Sequence, residues 1–185
     1  QDVSVVGKQA PVFDLFCDAR STPPRLAAVL MDASGALSYA DMPVDDKVLA
    51  QFDEREDGQI IALELLAVLF GLGTFQNVLS GNYIRVWTDN RVAEGNLIRG
   101  SSKAEDLNML VHGIWLLAAH MMAGMHIDRV PSEENISDLP SREQYELLGK
   151  LEAERVTPFL HPLAGCVQQW ELIGSESMAQ WPIGR

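Results

Sequence analysis

The chain has 185 residues, 47% of them hydrophobic, and its 14 Lys and Arg against 26 Asp and Glu give a formal net charge of −12. That size and apolar content, with no long polar low-complexity tract, suit one compact domain. The charge excludes broad autonomous binding to nucleic acid, which needs cations facing phosphates; tight binding of that kind calls for a basic surface from another domain or subunit.

Gln1, without an initiator Met or signal peptide, reads as the start of a processed product or of a piece of a larger protein. Val12 to Cys17 is the first strand signal, ending at Asp18, and Ala19 to Arg25 with its Pro23-Pro24 pair is turn-rich. Leu26 to Met31 and Ala36 to Met42 are further strands, joined by the hairpin turn Asp32-Ala33-Ser34-Gly35 into an antiparallel meander. After the acidic loop Asp53 to Gly58, the Ala and Leu content of Ile60 to Leu72 predicts a helix. Ile61, Leu65, Val68 and Leu69 mark its apolar face, Leu72 continues it, Glu64 lies within it, and Gly71 and Gly73 indicate fraying or tight packing near its end.

Ile84 to Thr88 is a strand ending at Asp89, and Arg91 to Ile98 is a short helix closed by Gly100. Ser101 or Ser102 can cap the next helix, with Glu105 completing a reciprocal cap with Ser102. That helix runs to about Met122. The segment Leu107 to Ile127 lacks Asp, Glu, Lys and Arg, but it contains Asn108, Gly113, Gly124 and histidines and flows into Asp128 and Arg129, so it reads as a core helix of a soluble domain and not as a membrane span. His126 to Val130 is a short strand, Pro131 to Asn135 a loop, and Asp138 precedes a final helical region from Glu143 to Val156. The order β-β-β-α-β-α-α-β predicts an α/β fold with a five-stranded mixed sheet flanked by helices over residues 1–156. Residues 157–185 form a C-terminal extension interrupted by Pro158, Pro162 and Pro182, in which Trp170 and Trp181 can pack on the domain or on a neighbour. Cys17 and Cys166 are too few for a metal-ligand cluster; a disulfide between them is open, and a reducing, intracellular location fits better.

Asp18 and Asp89 each follow the apolar part of a strand. If those strands are parallel neighbours, their ends bring the two carboxylates together, Glu64 can reach the same end from its helix, and Asp138 can close the group. Carboxylates gathered in a dry cleft repel one another, and divalent cations relieve that cost. Mg2+ prefers oxygen ligands beside substrate phosphates, and two ions about 4 Å apart suit phosphodiester hydrolysis. Taken singly, each of Asp18, Asp89 and Asp138 also fits a turn or a helix cap; it is the joint pattern that points to chemistry.

The residues resemble the ribonuclease H domain attached to reverse transcriptases of retroelements. The matching stretches are Phe16-Cys17-Asp18-Ala19, Ile61-Ala62-Leu63-Glu64-Leu65, Val86-Trp87-Thr88-Asp89-Asn90, and the run from Val130-Pro131 through Asn135 to Asp138 and Ser141-Arg142. The resemblance covers about Phe13 to Arg142. It implies a ribonuclease H-like fold, with Asp18, Glu64, Asp89 and Asp138 as ligands of two Mg2+ ions (Mn2+ as a substitute) for cutting the RNA strand of an RNA–DNA hybrid. It implies substrate contacts from Asn90, Arg91, Ser141 and Arg142, and a neighbouring polymerase domain or other partner supplying basic surface.

Other readings compete. Asp53, Arg55, Asp57, Gly58, Ile60 and Glu64 nearly fit a twelve-residue calcium loop, in which Arg55 puts a cation where an oxygen belongs. His112 and His120 are about 12 Å apart on a straight helix, too far for one zinc ion, and like His126 they read as core or surface histidines. Met121, Met122 and Met125 read as core packing. Arg85, Arg91, Arg99 and Lys103, with Asn96 and Ser101, either line an edge facing phosphates or are ordinary solvated positions. Against the hybrid-cutting nuclease stand two alternatives: a catalytically weak or inactive structural and protein-binding module, and a related DNA nuclease or integrase-like activity.

Overall fold

The computed structural model describes residues 12–162. A mixed sheet runs in the order β5-β4-β1-β2-β3-β6, with β1 Val12–Ser21, β2 Pro24–Met31, β3 Leu37–Pro43, β4 Tyr83–Thr88, β5 Gly124–Arg129 and β6 Glu154–Arg155. β1, β2 and β3 form the antiparallel meander expected from the sequence, β4 and β5 add parallel to β1, and β6 adds parallel to β3. The turn between β2 and β3 is built by Asp32, whose Oδ1 accepts from the Ser34 N–H at 2.8 Å and the Ala36 N–H at 3.0 Å.

β1 is longer than its apolar run. Ala19, Arg20 and Ser21 pair with Leu26, Arg25 and Pro24, so only Thr22 and Pro23 make the turn, and Asp18 sits inside the strand instead of at its end. Pairing with β2, rather than residue type, carries β1 onward.

On one face of the sheet lies α2, Ile60–Thr74, and over it α5, Glu105–His120. α2 is buried on every side from Ala62 to Gly73, so the single apolar face expected for it is corrected: a helix sandwiched between a sheet and another helix has no solvent face. Gly71 marks tight packing and not fraying, because a Cβ there would stand 3.2 Å from each of Ala28 Cβ, Cys17 Sγ and Leu15 Cδ1. Short helices α1, Asp46–Leu49, and α3, Gln76–Leu79, flank α2, and α4, Arg91–Arg99, follows β4. α4 closes at Gly100, whose φ of 68° is the left-handed conformation glycine tolerates. The Ser102–Glu105 reciprocal cap is absent: α5 starts after Ala104 without a side-chain cap, and the Ser102 N–H donates to Asn108 Oδ1 at 2.9 Å. α5 stops at His120, where Met121 is buried and Met122, at φ 53°, is 81% exposed instead of packed in the core.

The opposite face carries a smaller apolar cluster of Val29, Tyr39 and Leu148, with Phe16, Leu139 and Tyr145 packed against it. It holds α6, Asp138–Ser141, and α7, Glu146–Lys150. The helix expected from Glu143 to Val156 is therefore broken into α7 and β6. The reason is long-range: Asp41, with its side chain fully buried, accepts from Arg155 Nη2 at 3.1 Å, from Tyr145 Oη at 3.0 Å and from Arg25, while the Val156 N–H donates to Tyr39 O. Seating Arg155 on this carboxylate overrides the local helix preference. Beyond β6, the Thr74 hydroxyl bonds both the N–H and the carbonyl of Phe159. Cys166 with its possible disulfide to Cys17, Trp170, Trp181 and Pro182 lie outside the described residues. No helix among the described residues is long and apolar enough to cross a membrane.

Candidate active site

The parallel register of β1 and β4 sets the first two acids. Phe16 pairs with Trp87, and two residues further on come Asp18, inside β1, and Asp89, directly after the end of β4. Glu64 reaches the same point from the first turns of α2. Carboxylate oxygens of Asp18, Glu64 and Asp89 all lie within 4.8 Å of one another. The structure thus brings together three of the four acids named from the sequence. Asp138, the first residue of α6, stands at the rim close enough to raise the proton affinity of Asp18 and Glu64, but its Oδ1 accepts from Arg142 Nε at 2.6 Å.

The site is electrostatically expensive. Burial pushes the Asp18 carboxyl up from 3.8 to about 7; the Ser141 hydroxyl and the Arg142 charge pull it back, and the Asp89 and Asp138 charges add to the rise. Glu64 is held well above the usual carboxylate range by burial first and then by Asp18 and Asp89, with the Ala19 N–H opposing. Glu64 is 4% exposed, and its Oε2 is buried with no hydrogen-bond partner. Buried carboxylate oxygens rarely go unsatisfied. An orphaned oxygen among clustered carboxylates fits a hard divalent cation, which is bound by oxygen donors such as these.

Neighbouring groups hold the acids in place. Asn90 Oδ1 accepts from the Val92 and Ala93 N–H groups at 2.9 and 3.1 Å, capping α4 directly after Asp89; Arg91 is exposed at the first position of that helix. Asn135 and Ser137, not among the site residues expected from the sequence, also belong to the site's surroundings. Asn135 Nδ2 donates to the Cys17 carbonyl at 3.2 Å, and its Oδ1 accepts from the Ser137 hydroxyl at 2.6 Å, so the loop leading to Asp138 is stitched to the strand carrying Asp18. Its place three residues before Asp138 was the available signal. Ser141 is buried and donates to Asp138 O at 3.0 Å.

The competing sites do not form. Arg55 Nη2 bonds Asp106 Oδ1 at 2.5 Å and lies 3.6 Å from Asp53, while Glu64 is turned into the acidic cluster, so the calcium loop is not assembled. Arg85 forks onto Asp14 at 2.7 and 2.9 Å beside the Trp87 indole, and Arg99 bonds the buried Asn96. Neither is gathered at the acids. His112, His120 and His126 are exposed on α5 and β5.

No protein-family model matches the sequence, and no curated protein matches it. Among solved structures, the chain is similar to the N-terminal RNase H domain of a Mycobacterium tuberculosis protein, solved as a fusion with maltose binding protein. That likeness has 17% identity, covers 78% of this chain and 100% of that one, and has a TM-score of 0.53. The chain is also similar to RNase H1 of the halophilic archaeon Halobacterium salinarum, at 15% identity over 74% of this chain and 97% of that one, with a TM-score of 0.51. The fold is ribonuclease H-like. Within that ribonuclease H-like fold, the acids Asp18, Glu64 and Asp89 share one end of the sheet. The two similar structures are mycobacterial and archaeal, so they carry the fold and not the retroelement origin implied by the sequence resemblance.

Proposed function

We propose that this chain is a metal-dependent endoribonuclease that cuts the RNA strand of RNA–DNA hybrids, as part of a reverse-transcriptase polyprotein. The observation that carries the reading is the partnerless, buried Glu64 Oε2 within a group of three carboxylates meeting inside 4.8 Å. A fold of ribonuclease H type and the retroelement-like stretches around Asp89 and Asp138 support it.

Asp18, Glu64 and Asp89 would hold Mg2+, or Mn2+ in its place, and Asp138 would complete a second position at the rim. When bound, such ions activate water and stabilise charge on the scissile phosphate. The chain's own groups prepare the site. The Ser141 hydroxyl steadies the Asp18 carboxylate, the Asn90 cap fixes the turn after Asp89, and burial keeps bulk water from screening the acids. Arg91 and Arg142, both exposed, would meet backbone phosphates. A chain of net charge −12 still depends on a basic surface from a polymerase domain or other partner for tight binding.

The test is incubation of the purified chain with labelled RNA–DNA hybrid, duplex DNA and duplex RNA in Mg2+ and then Mn2+. Cutting of the hybrid's RNA strand, lowered at least about 100-fold in Glu64→Gln, is expected. Cutting of duplex DNA instead would move the activity to the integrase-like alternative, and no cutting of any substrate would leave the structural module.

A further inference from the structure

We propose, on the basis of the metal-site reading above, that Arg142 is a latch: it holds Asp138 away from the second cation and releases it to that cation when a substrate phosphate takes the guanidinium. Asp138 is the one acid of the four outside the 4.8 Å group, and its Oδ1 is engaged by Arg142 Nε at 2.6 Å. The Arg142 side chain is 60% exposed and the Asp138 side chain 33% exposed, so the pair is open to solvent beside the buried acids. The Arg142 charge is also drawn toward Asp18 and Asp89.

The backbone on either side of Arg142 is held by its neighbours, while its side chain is 60% exposed. Before it, Ser141 is buried and bonded to Asp138 O. After it, Glu143, at φ 61°, is clamped by Arg20 Nη2 at 3.0 Å and Arg25 Nη2 at 2.9 Å. A change of partner therefore needs side-chain rotation alone. With Arg142 on Asp138, a cation seeking that carboxylate competes with a charge-assisted hydrogen bond. With Arg142 on a phosphate, the carboxylate is released and the guanidinium charge leaves it. Cation binding at Asp138 and phosphate binding at Arg142 must then strengthen each other, because linkage is reciprocal.

The test has two arms on the full chain. In the first, Mn2+ is titrated without nucleic acid, with free Mn2+ read by electron paramagnetic resonance. Wild type is expected to hold one ion tightly and a second weakly, Arg142→Gln to tighten the second at least about fivefold, and the double variant Asp138→Asn/Arg142→Gln to lose that gain. In the second, RNA–DNA hybrid binding is measured in EDTA, where nothing is cut. Arg142→Gln should weaken binding about threefold or more, while Asp138→Asn, which frees the guanidinium, should tighten it. Thermal melts confirm that the variants are folded. An unchanged Mn2+ isotherm in Arg142→Gln, or weaker hybrid binding in Asp138→Asn, overturns the latch while leaving the metal site standing. If wild type binds no Mn2+ at all, the metal-site reading falls and the latch with it.

Discussion

Asp18 shows what the site demands of a single residue. Its carboxyl is held at about 7 against 3.8 when unfolded, because burial and neighbouring acids disfavour its charge. A folded value above the unfolded one gives a stability contribution that is full below pH 3.8 and is lost as pH rises through about 7. Between pH 5 and pH 8 that loss is about 2–3 kcal/mol from this residue in the metal-free protein. Urea denaturation in EDTA should show wild type losing stability over this interval and Asp18→Asn losing less by about that amount. Parallel pH slopes for the two proteins would contradict the assignment. Glu64 is affected in the same direction, and its Oε2 is buried with no hydrogen-bond partner.

At the scale of elements, two contacts place the acids. Gly71 lets α2 approach β1 and β2, with its built Cβ at 3.2 Å from three side-chain atoms. Alanine favours helix over glycine by about 1 kcal/mol. Here the neighbours belong to a packed sheet, so Gly71→Ala should lower stability by about 1–2 kcal/mol despite that gain, measurable as a lower urea midpoint. Asn135 stitches the loop before α6 to Cys17 O, and Asn135→Ala should lower stability by about 2 kcal/mol and reduce hybrid cutting. Unchanged stability in Asn135→Ala would show that the loop is held elsewhere. These elements were unevenly legible. Asp18 and Asp89 could be read because each follows the apolar run of one of two parallel neighbouring strands, and Glu64 because it interrupts an Ala- and Leu-rich helix. The extension of β1 to Ser21 and the break of the last helix into α7 and β6 could not, since they depend on pairing with β2 and on the buried Asp41 capturing Arg25, Tyr145 and Arg155 from distant positions. Asp138, expected as a fourth metal ligand, stands outside the group of three acids, and its pairing with Arg142 has no signal in sequence beyond their spacing of four.

For the whole molecule, two opposing titrations shape stability. At Asp106 burial disfavours the charge, but the Arg55 guanidinium and the Asp53 and Leu107 N–H groups outweigh it and leave the carboxyl below its ordinary range. Its contribution is therefore present above pH 3.8 and lost as pH falls through that lowered value. With Asp18 acting in the reverse sense from pH 3.8 upward, metal-free stability should peak near about pH 4 and decline on both sides. A melting profile in EDTA that rises steadily to pH 8 would contradict this balance.

Asp18, Glu64 and Asp89 are proposed above to hold a divalent cation together. The most direct measurement is the melting temperature with and without Mg2+ at pH 8 and pH 5, for wild type and Glu64→Gln. At Mg2+ about 100 times its dissociation constant, wild type should rise by about 5–10 °C at pH 8, and less at pH 5 where protons compete for the same oxygens; Glu64→Gln should lose most of the rise. An unchanged melting temperature in wild type at both pH values, or an equal rise in Glu64→Gln, would contradict it.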